Sequence, residues 1–193
     1  MNQMIKNYFD DTIKLMGAIM VTIDHVPGEL ALGIESSCQL LKEVLKNNKK
    51  VVFIGNGGSA GIASHMAVDF WKNGGIKAIA FNDSSLLTCI SNDYGYEHVF
   101  AKPIEAFAEA DDLLIAISSS GNSPNILNGV KVAREKGLKV ITLSGFKQNN
   151  KLSSLGDINF FVPSIEYGPV EVLHQFICHY ILDILLLERK GKA

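Results

Sequence analysis

The sequence has few of the features that mark specialised classes of protein. Its three cysteines, Cys38, Cys89 and Cys178, lie far apart and form no CxxC pair, which argues against a disulfide framework or a structural zinc site. We expect them to be free, buried thiols. The formal net charge is only −2, which gives no general affinity for nucleic acid or anionic membranes. We therefore expect neither as a partner.

Targeting and membrane signals are also lacking. Residues 1–17 carry acids and amides and have no apolar h-region, so they do not resemble a signal peptide. We expect the apolar run within residues 179–193 to be too short to span a bilayer, and Asp183 interrupts it. The expected location is the cytoplasm.

The chain does have what a folded core needs, with 47% hydrophobic and 20% charged residues. Five short apolar runs follow residue 50, each continuous rather than alternating, as in strands buried on both faces. They are VVFIG (51–55), KAIAF (77–81), DLLIAIS (112–118), KVITLS (139–144) and INFFVP (158–163). Helical patterns fill most of the gaps. We predict an α/β fold with a doubly wound, five-stranded parallel sheet in the flavodoxin-like order 2-1-3-4-5.

Helical patterns flank this core on both sides. Residues 3–47 carry no strand signal, and HVPGE at 25–29 separates two predicted helices. The first places four apolar residues at helical spacing: Ile13, Met16, Met20 and Ile23. Residues 169–189 predict a C-terminal helix. We expect one domain over 1–193, with residues 1–48 as a helical oligomerisation arm and 49–193 as the α/β core that binds the ligand.

The glycine loop, GNGGSAG at 55–61, follows the first predicted strand and precedes a helical pattern. Glycines let the backbone approach a ligand closely, and free N–H groups at a helix N-terminus attract an anion. The loop lacks the GK[ST] of a Walker A motif and the spacing of a dinucleotide fingerprint. A plain βα turn and a phosphate cradle are the two interpretations that compete.

The serine loop, SSSGNS at 118–123, follows the third predicted strand. Four of its residues carry hydroxyl groups: Ser118, Ser119, Ser120 and Ser123. Hydroxyls and backbone N–H groups before a helix can bind phosphate without a basic side chain. An N-cap before Pro124 explains Ser123 alone. In the predicted strand order the two loops meet at the switch point, where ligands bind, so we expect a small phosphorylated ligand.

Four stretches together resemble a known family. They are GNGGSA (55–60), SNDYGYEHVF (91–100), AISSSGNSPNIL (116–127) and GLKVITLSG (137–145). They are similar to the sugar isomerase (SIS) domain and, within it, to the bacterial phosphoheptose isomerases, over nearly the whole chain. The resemblance implies an aldose–ketose isomerase that converts sedoheptulose 7-phosphate to D-glycero-D-manno-heptose 7-phosphate through an enediol, for surface glycans such as lipopolysaccharide or capsule. It also implies a homotetramer with interfacial sites and bound zinc.

The resemblance further assigns residues by motif. It implies phosphate binding by Ser59, Ser118, Ser120 and Ser123. It implies substrate contacts from Asn56, Gly57 and Gly58, and contacts to the sugar hydroxyls or a proton shuttle from Asn92 and Asp93. It implies a zinc set of His65, Asp69, Glu171 and His179, with Glu171 also contacting substrate. It implies that Asp69 and His179 form the acid–base pair.

Three positions depart from the family pattern. Asp69 stands where the family has glutamate, Glu171 where it has glutamine, and Asn73 where it often has arginine. Two alternatives to the isomerase stay open: a non-catalytic SIS tetramer that binds the bacterial replication initiator or a phosphosugar, and a sugar-phosphate sensor. The carboxylate at Asp69 favours the enzyme, since the initiator-binding relative lacks an acid there.

Overall fold

The computed structural model describes residues 1–191, in which helices cover both faces of a seven-stranded sheet. The strands are β1 (Met20–Ile23), β2 (Val26–Gly28), β3 (Lys50–Gly55), β4 (Lys77–Ala80), β5 (Leu113–Ser118), β6 (Lys139–Ser144) and β7 (Ile158–Phe161). The helices are α1 (Asn2–Gly17), α2 (Leu30–Lys46), α3 (Gly58–Lys72), α4 (Ser84–Tyr94), α5 (Ala101–Phe107), α6 (Pro124–Glu135) and α7 (Tyr167–Arg189). Two short 3₁₀ helices cover Tyr96–His98 and Lys151–Ser154.

The sheet has the order β2-β1-β7-β6-β5-β3-β4, and strands β3 to β7 are parallel. These five strands are the predicted ones in the predicted order, so the α/β fold and its 2-1-3-4-5 core are confirmed. Their continuous apolar character follows from burial on both faces. In β3, Val51 and Phe53 enter one core, while Val52 and Ile54 enter the other.

The segment between α1 and α2 is a β-hairpin, where the sequence analysis expected helices only. Strand β1 pairs antiparallel with β2 and with β7, so the hairpin extends the sheet beyond β7. Asp24 and His25 form its two-residue turn with φ values of 46° and 67°, as a type I′ turn requires. Met20 and Ile23 therefore lie in a strand, and their assignment to a helix face with Ile13 was wrong.

The helices divide between two cores, one on each face of the sheet. Residues of α2, α3 and α7 fill the first, and residues of α5 and α6 fill the second. Cys38 and Cys178 are buried in the first core, where desolvation raises the pKa of their thiols to about 11 and about 12. Cys89 is free but exposed on α4, so the expectation of buried thiols was wrong for that residue.

Helix α7 corrects the expectation that the C-terminal apolar run is short. It has 23 residues, and by length and composition alone it could cross a membrane. The core helix of a soluble protein has the same properties, and Leu173, Ile177 and Ile181 of α7 are buried in the first core. The helix is therefore weak evidence for a membrane span.

Helix α1 contrasts with α7, because none of its residues is buried. Leu15 and Met16 near its end pack against the first core. Its exposed apolar residues are Met4, Ile5, Tyr8, Phe9 and Ile13. An apolar stripe of this kind on a helix normally faces a core or a partner, so the helix has a surface available for contact with another chain.

Candidate active site

The glycine loop joins β3 to α3 through a backbone that only glycine tolerates well. Gly57 has φ +54° and ψ −122°, a region that is strained for residues with a Cβ atom. A Cβ atom on Gly55 would collide with the backbone of Ser59, so that glycine permits the tight turn. The loop thereby presents the first turn of α3 to the space above the carboxyl ends of β3 and β5.

The serine loop encloses that space from the β5 side. Together the loops and the start of α7 line a cavity of about 110 Å³, formed by Asn56, Ser59, Ile117, Ser118, Ser119, Ser120, Ser123, Tyr167 and Glu171. The Ser119 hydroxyl oxygen is buried and has no hydrogen-bond partner within the described part of the chain. A buried polar atom without a partner is costly, so this hydroxyl is suited to bind a polar ligand.

The serine hydroxyls are partly organised by the loop itself. The Gly121 backbone N–H donates to Ser118 Oγ at 3.2 Å, and the Ser118 and Ser123 hydroxyl oxygens lie 3.4 Å apart. Gly121 has φ +61°, and a Cβ atom there would collide with the Asn150 side chain. The turn therefore gathers the predicted phosphate-binding hydroxyls at one end of α6.

An asparagine pair that the sequence analysis missed ties the two loops together. Asn56 Nδ2 donates to Asn125 Oδ1 at 2.9 Å, and Asn125 Nδ2 donates to Asn56 Oδ1 at 2.8 Å. The Tyr96 hydroxyl also donates to Asn56 Oδ1 at 3.1 Å. Asn125 is almost fully buried. Its position after the predicted N-cap was the one available signal, and polar residues near a helix start are usually explained by capping alone.

A second group of polar side chains forms on α3 and α7. His65 Nε2 lies 3.2 Å from Asp69 Oδ2, and His179 Nδ1 lies 3.7 Å from the same oxygen. Asn73 Nδ2 donates to Asp69 Oδ1 at 3.2 Å. One potential ligand atom from each of His65, Asp69 and His179 lies within 4.8 Å of the other two. Two imidazoles and a carboxylate with an open side match the ligand number of catalytic zinc sites.

Glu171 does not join that group, although the sequence analysis placed it in the metal set. It precedes His179 by eight residues, which is about 12 Å along a helix. The structure places it in the serine cavity instead. Its carboxylate lies against Gly58, where a Cβ atom would overlap it. The structure thus separates the four predicted ligands into a group of three and one cavity residue.

Asn92 and Asp93 do not line the serine cavity of the described chain. Both are exposed on α4, and Asn92 Nδ2 donates to Asp93 Oδ1 at 2.9 Å. Asn92 instead borders a shallow surface depression together with Ser84, Ser85, Thr88 and Cys89. Their contact with the sugar therefore stays a prediction, and within the described chain both residues lie outside the cavity lining.

His174 is a buried histidine of α7 that joins this helix to the sheet. Its Nε2 lies 3.0 Å from the carbonyl oxygen of Ser144 at the end of β6. Desolvation lowers the pKa of His174 to about 4, so the ring is neutral and its Nε2–H donates to that carbonyl. The bond fixes α7 to the sheet between the positions of Glu171 and His179.

Comparison with known proteins agrees with this architecture. The SIS domain family model matches residues 16–145. Curated phosphoheptose isomerases are similar over most of their length: that of Aliarcobacter butzleri is 40% identical over 90% of this chain and 94% of its own. That of Helicobacter pylori is 38% identical over 79% of this chain and 82% of its own. The chain therefore belongs to the SIS-domain family and, within it, to the phosphoheptose isomerases.

Solved structures give the same result. Phosphoheptose isomerase GmhA from Neisseria gonorrhoeae matches with a TM-score of 0.83 and 31% identity, over 95% of this chain and 98% of its own. A phosphoheptose isomerase from Francisella tularensis matches with a TM-score of 0.82 and 29% identity, over 95% and 96%. The similarity covers the site-bearing core together with most of the remaining chain.

Proposed function

We propose that this protein is a phosphosugar isomerase that interconverts sedoheptulose 7-phosphate and D-glycero-D-manno-heptose 7-phosphate, a precursor for surface glycans. The observation that carries the proposal is the serine cavity together with the His65, Asp69 and His179 group, both bordered by α7. Helix α7 contributes a residue to each, because Glu171 lines the cavity and His179 belongs to the group. The relatives named phosphoheptose isomerase support the same reaction.

The phosphate would be held by neutral donors. We assign this role to Ser59, Ser118, Ser119, Ser120 and Ser123, with the backbone N–H groups at the start of α6. We assign substrate contacts to Asn56, Gly57, Gly58 and Glu171. Binding energy gained at the phosphate positions the distant carbons for reaction.

The reaction moves hydrogen between C1 and C2 of the sugar. A base takes a proton from C1 while the C2 oxygen gains one, which gives an enediol. Return of a proton to C2 and loss of one from the C1 oxygen gives the aldose. We assign the base to Asp69 and the partner acid to His179, since their side chains lie 3.7 Å apart. When zinc is bound, His65, Asp69 and His179 would hold the ion, which would polarise the carbonyl oxygen in place of proton donation from His179.

We further propose that the active unit is a cytoplasmic homotetramer, with residues 1–48 as an assembly arm on a single SIS domain. The exposed apolar residues of α1 support an intersubunit contact. The cavity of about 110 Å³ is smaller than the roughly 300–1,000 Å³ of typical ligand sites. Asn92 and Asp93, outside the cavity of one chain, would contact the sugar hydroxyls where subunits meet.

Turnover of sedoheptulose 7-phosphate, followed as aldose formation, tests the proposed reaction. We expect Asp69→Asn and His179→Ala to lower kcat/KM by about 10²–10⁴-fold, the usual contribution of general acid–base groups. Asp183→Asn, which removes an exposed carboxylate from α7, serves as the matched control and should retain activity. The absence of turnover in the wild type, with phosphosugar binding intact, would instead support the non-catalytic alternative.

Metal content tests the zinc assignment separately. We expect the purified protein to carry about one zinc per subunit, because the three donor atoms are already gathered. His65→Ala should lower that content, whereas His98→Ala, which alters a histidine outside the group, should not. Equal zinc in both variants would contradict the assignment.

A further inference from the structure

A buried amide pair joins the two loops that line the serine cavity. Asn56 directly follows β3, in the glycine loop, and Asn125 lies in the first turn of α6, just after the serine loop. Asn125 is only 2% exposed, and the two amides exchange hydrogen bonds of 2.8 and 2.9 Å. Asn56 lines the cavity, whereas Asn125 does not. Any effect of Asn125 on a ligand in the cavity is therefore transmitted through Asn56.

A backbone N–H group fixes the orientation of both amides. The Ile126 N–H donates to Asn125 Oδ1 at 3.0 Å, and a backbone N–H can only donate. This bond identifies the oxygen of the Asn125 amide, so the other end, Nδ2, is the donor. Because Asn125 Nδ2 can only donate, it must face the oxygen of Asn56. The orientation of Asn56 therefore follows from that of Asn125.

The network occupies both acceptor positions of Asn56 and one of its two donors. The two lone pairs of Asn56 Oδ1 accept from Asn125 Nδ2 at 2.8 Å and from the Tyr96 hydroxyl at 3.1 Å. One hydrogen of Asn56 Nδ2 is donated to Asn125 Oδ1. Within residues 1–191, no acceptor is bound to the other hydrogen. The hydrogen-bonding group that Asn56 has left for a ligand is thus an N–H donor.

We propose that Asn125 is a positioning residue that, together with Tyr96, presents Asn56 to the bound sugar phosphate as a hydrogen-bond donor only. An unrestrained asparagine can turn its amide and offer either the oxygen or the N–H. With its oxygen occupied, Asn56 favours ligand oxygens that accept, such as those of a phosphate. The proposal rests on the ligand site of the proposed function and deepens it, and it concerns binding rather than turnover.

A double-mutant cycle tests whether Asn125 acts through Asn56. The ligand is heptitol 7-phosphate, which has no carbonyl group and cannot isomerise, and calorimetry measures its affinity for the full-length protein. We expect Asn125→Ala to weaken binding by about tenfold, because the Asn56 amide is then free to turn. In a chain that already carries Asn56→Ala, the same change should have no further effect, because the residue it acts through is gone.

Tyr96→Phe provides a second cycle with little risk to folding, since Tyr96 is 53% exposed. The change removes one of the two bonds to Asn56 Oδ1. It should weaken binding by about threefold in the otherwise unchanged protein and have no effect in the chain with Asn56→Ala. This cycle decides the proposal if Asn125→Ala does not fold.

Asn128→Ala is the matched control, because it is the same substitution on the same helix. It removes a bond from Asn128 Nδ2 to the carbonyl oxygen of Glu97 at 3.0 Å, in the 3₁₀ helix that also holds Tyr96. It leaves Asn56 untouched and should not change the affinity.

A purely structural role for Asn125 would weaken binding by the same factor with and without Asn56. That result overturns the proposal, as do unchanged affinities in the single variants or a wild-type protein that does not bind heptitol 7-phosphate. The expected cycle in a protein that lacks isomerase activity would uphold the proposal while refuting the proposed reaction.

Discussion

At the scale of single residues, His174 makes stability depend on pH. Its ring stays neutral in the folded protein because burial lowers its pKa from 6.5 to about 4. Between these values the unfolded chain binds a proton that the folded chain does not. The free energy of unfolding should therefore fall as the pH drops from about 6.5 to 4, by at most about 3 kcal/mol from this group. Urea unfolding across that range measures the change.

His174→Gln separates this effect from the titration of carboxylates. Glutamine has an N–H group that can replace the Nε2 donor to Ser144, but it does not titrate. The variant should be less stable at pH 7, since a packed ring is lost, and its stability should depend less on pH between 6.5 and 4. If the free energy of unfolding of the variant falls as steeply between pH 6.5 and 4 as that of the wild type, the assignment to His174 is contradicted.

Residue patterns predicted much of the candidate site. They did not predict that the four expected metal ligands separate into a group of three and one residue of the serine cavity. The serines before α6 and the four-residue spacing of His65 and Asp69 could be recognised because local sequence places such residues on one loop or one helix face. Glu171 was assigned to the metal set by motif, whereas two helical turns separate it from His179. Asn125 was missed because its partner, Asn56, is 69 residues away in the chain.

At the scale of elements, alanine substitution of two glycines near the start of α3 should have opposite effects on stability. Gly57 adopts φ +54° and ψ −122°, so Gly57→Ala should destabilise the protein by about 1–3 kcal/mol. Gly61 lies within α3, and a Cβ atom there would meet nothing within 4 Å. Gly61→Ala should therefore stabilise by up to about 1 kcal/mol. Chemical denaturation of both variants measures the difference, and equal effects would refute this distinction.

The elements that sequence could predict are those with a strong pattern of their own. The five parallel strands are continuous apolar runs because both faces are buried, and β3 to β7 follow them closely. The hairpin of β1 and β2 has strands of four and three residues, which are too short to show a clear alternation of apolar and polar residues. Its turn uses Asp24 and His25 rather than the usual Asn-Gly or Asp-Gly signal, and β1 is defined by long-range pairing with β7.

At the scale of the whole molecule, α1 and the cavity both indicate that chains associate. The helix exposes an apolar stripe that the single chain leaves uncovered, and the cavity is smaller than typical ligand sites. Both features are accounted for if chains associate through the arm and complete one another's sites. A loss of assembly should then reduce activity even when the fold is intact.

Phe9→Asp tests this link, because Phe9 is 65% exposed at the middle of α1. A charge buried without a partner at an interface is strongly unfavourable, so the variant should sediment as a smaller species than the wild type and lose sedoheptulose 7-phosphate turnover in parallel. Asn7→Asp adds the same charge to the same helix and keeps the acceptor for Gln3, so it should assemble normally. If Phe9→Asp sediments like the wild type, α1 is not the assembly surface.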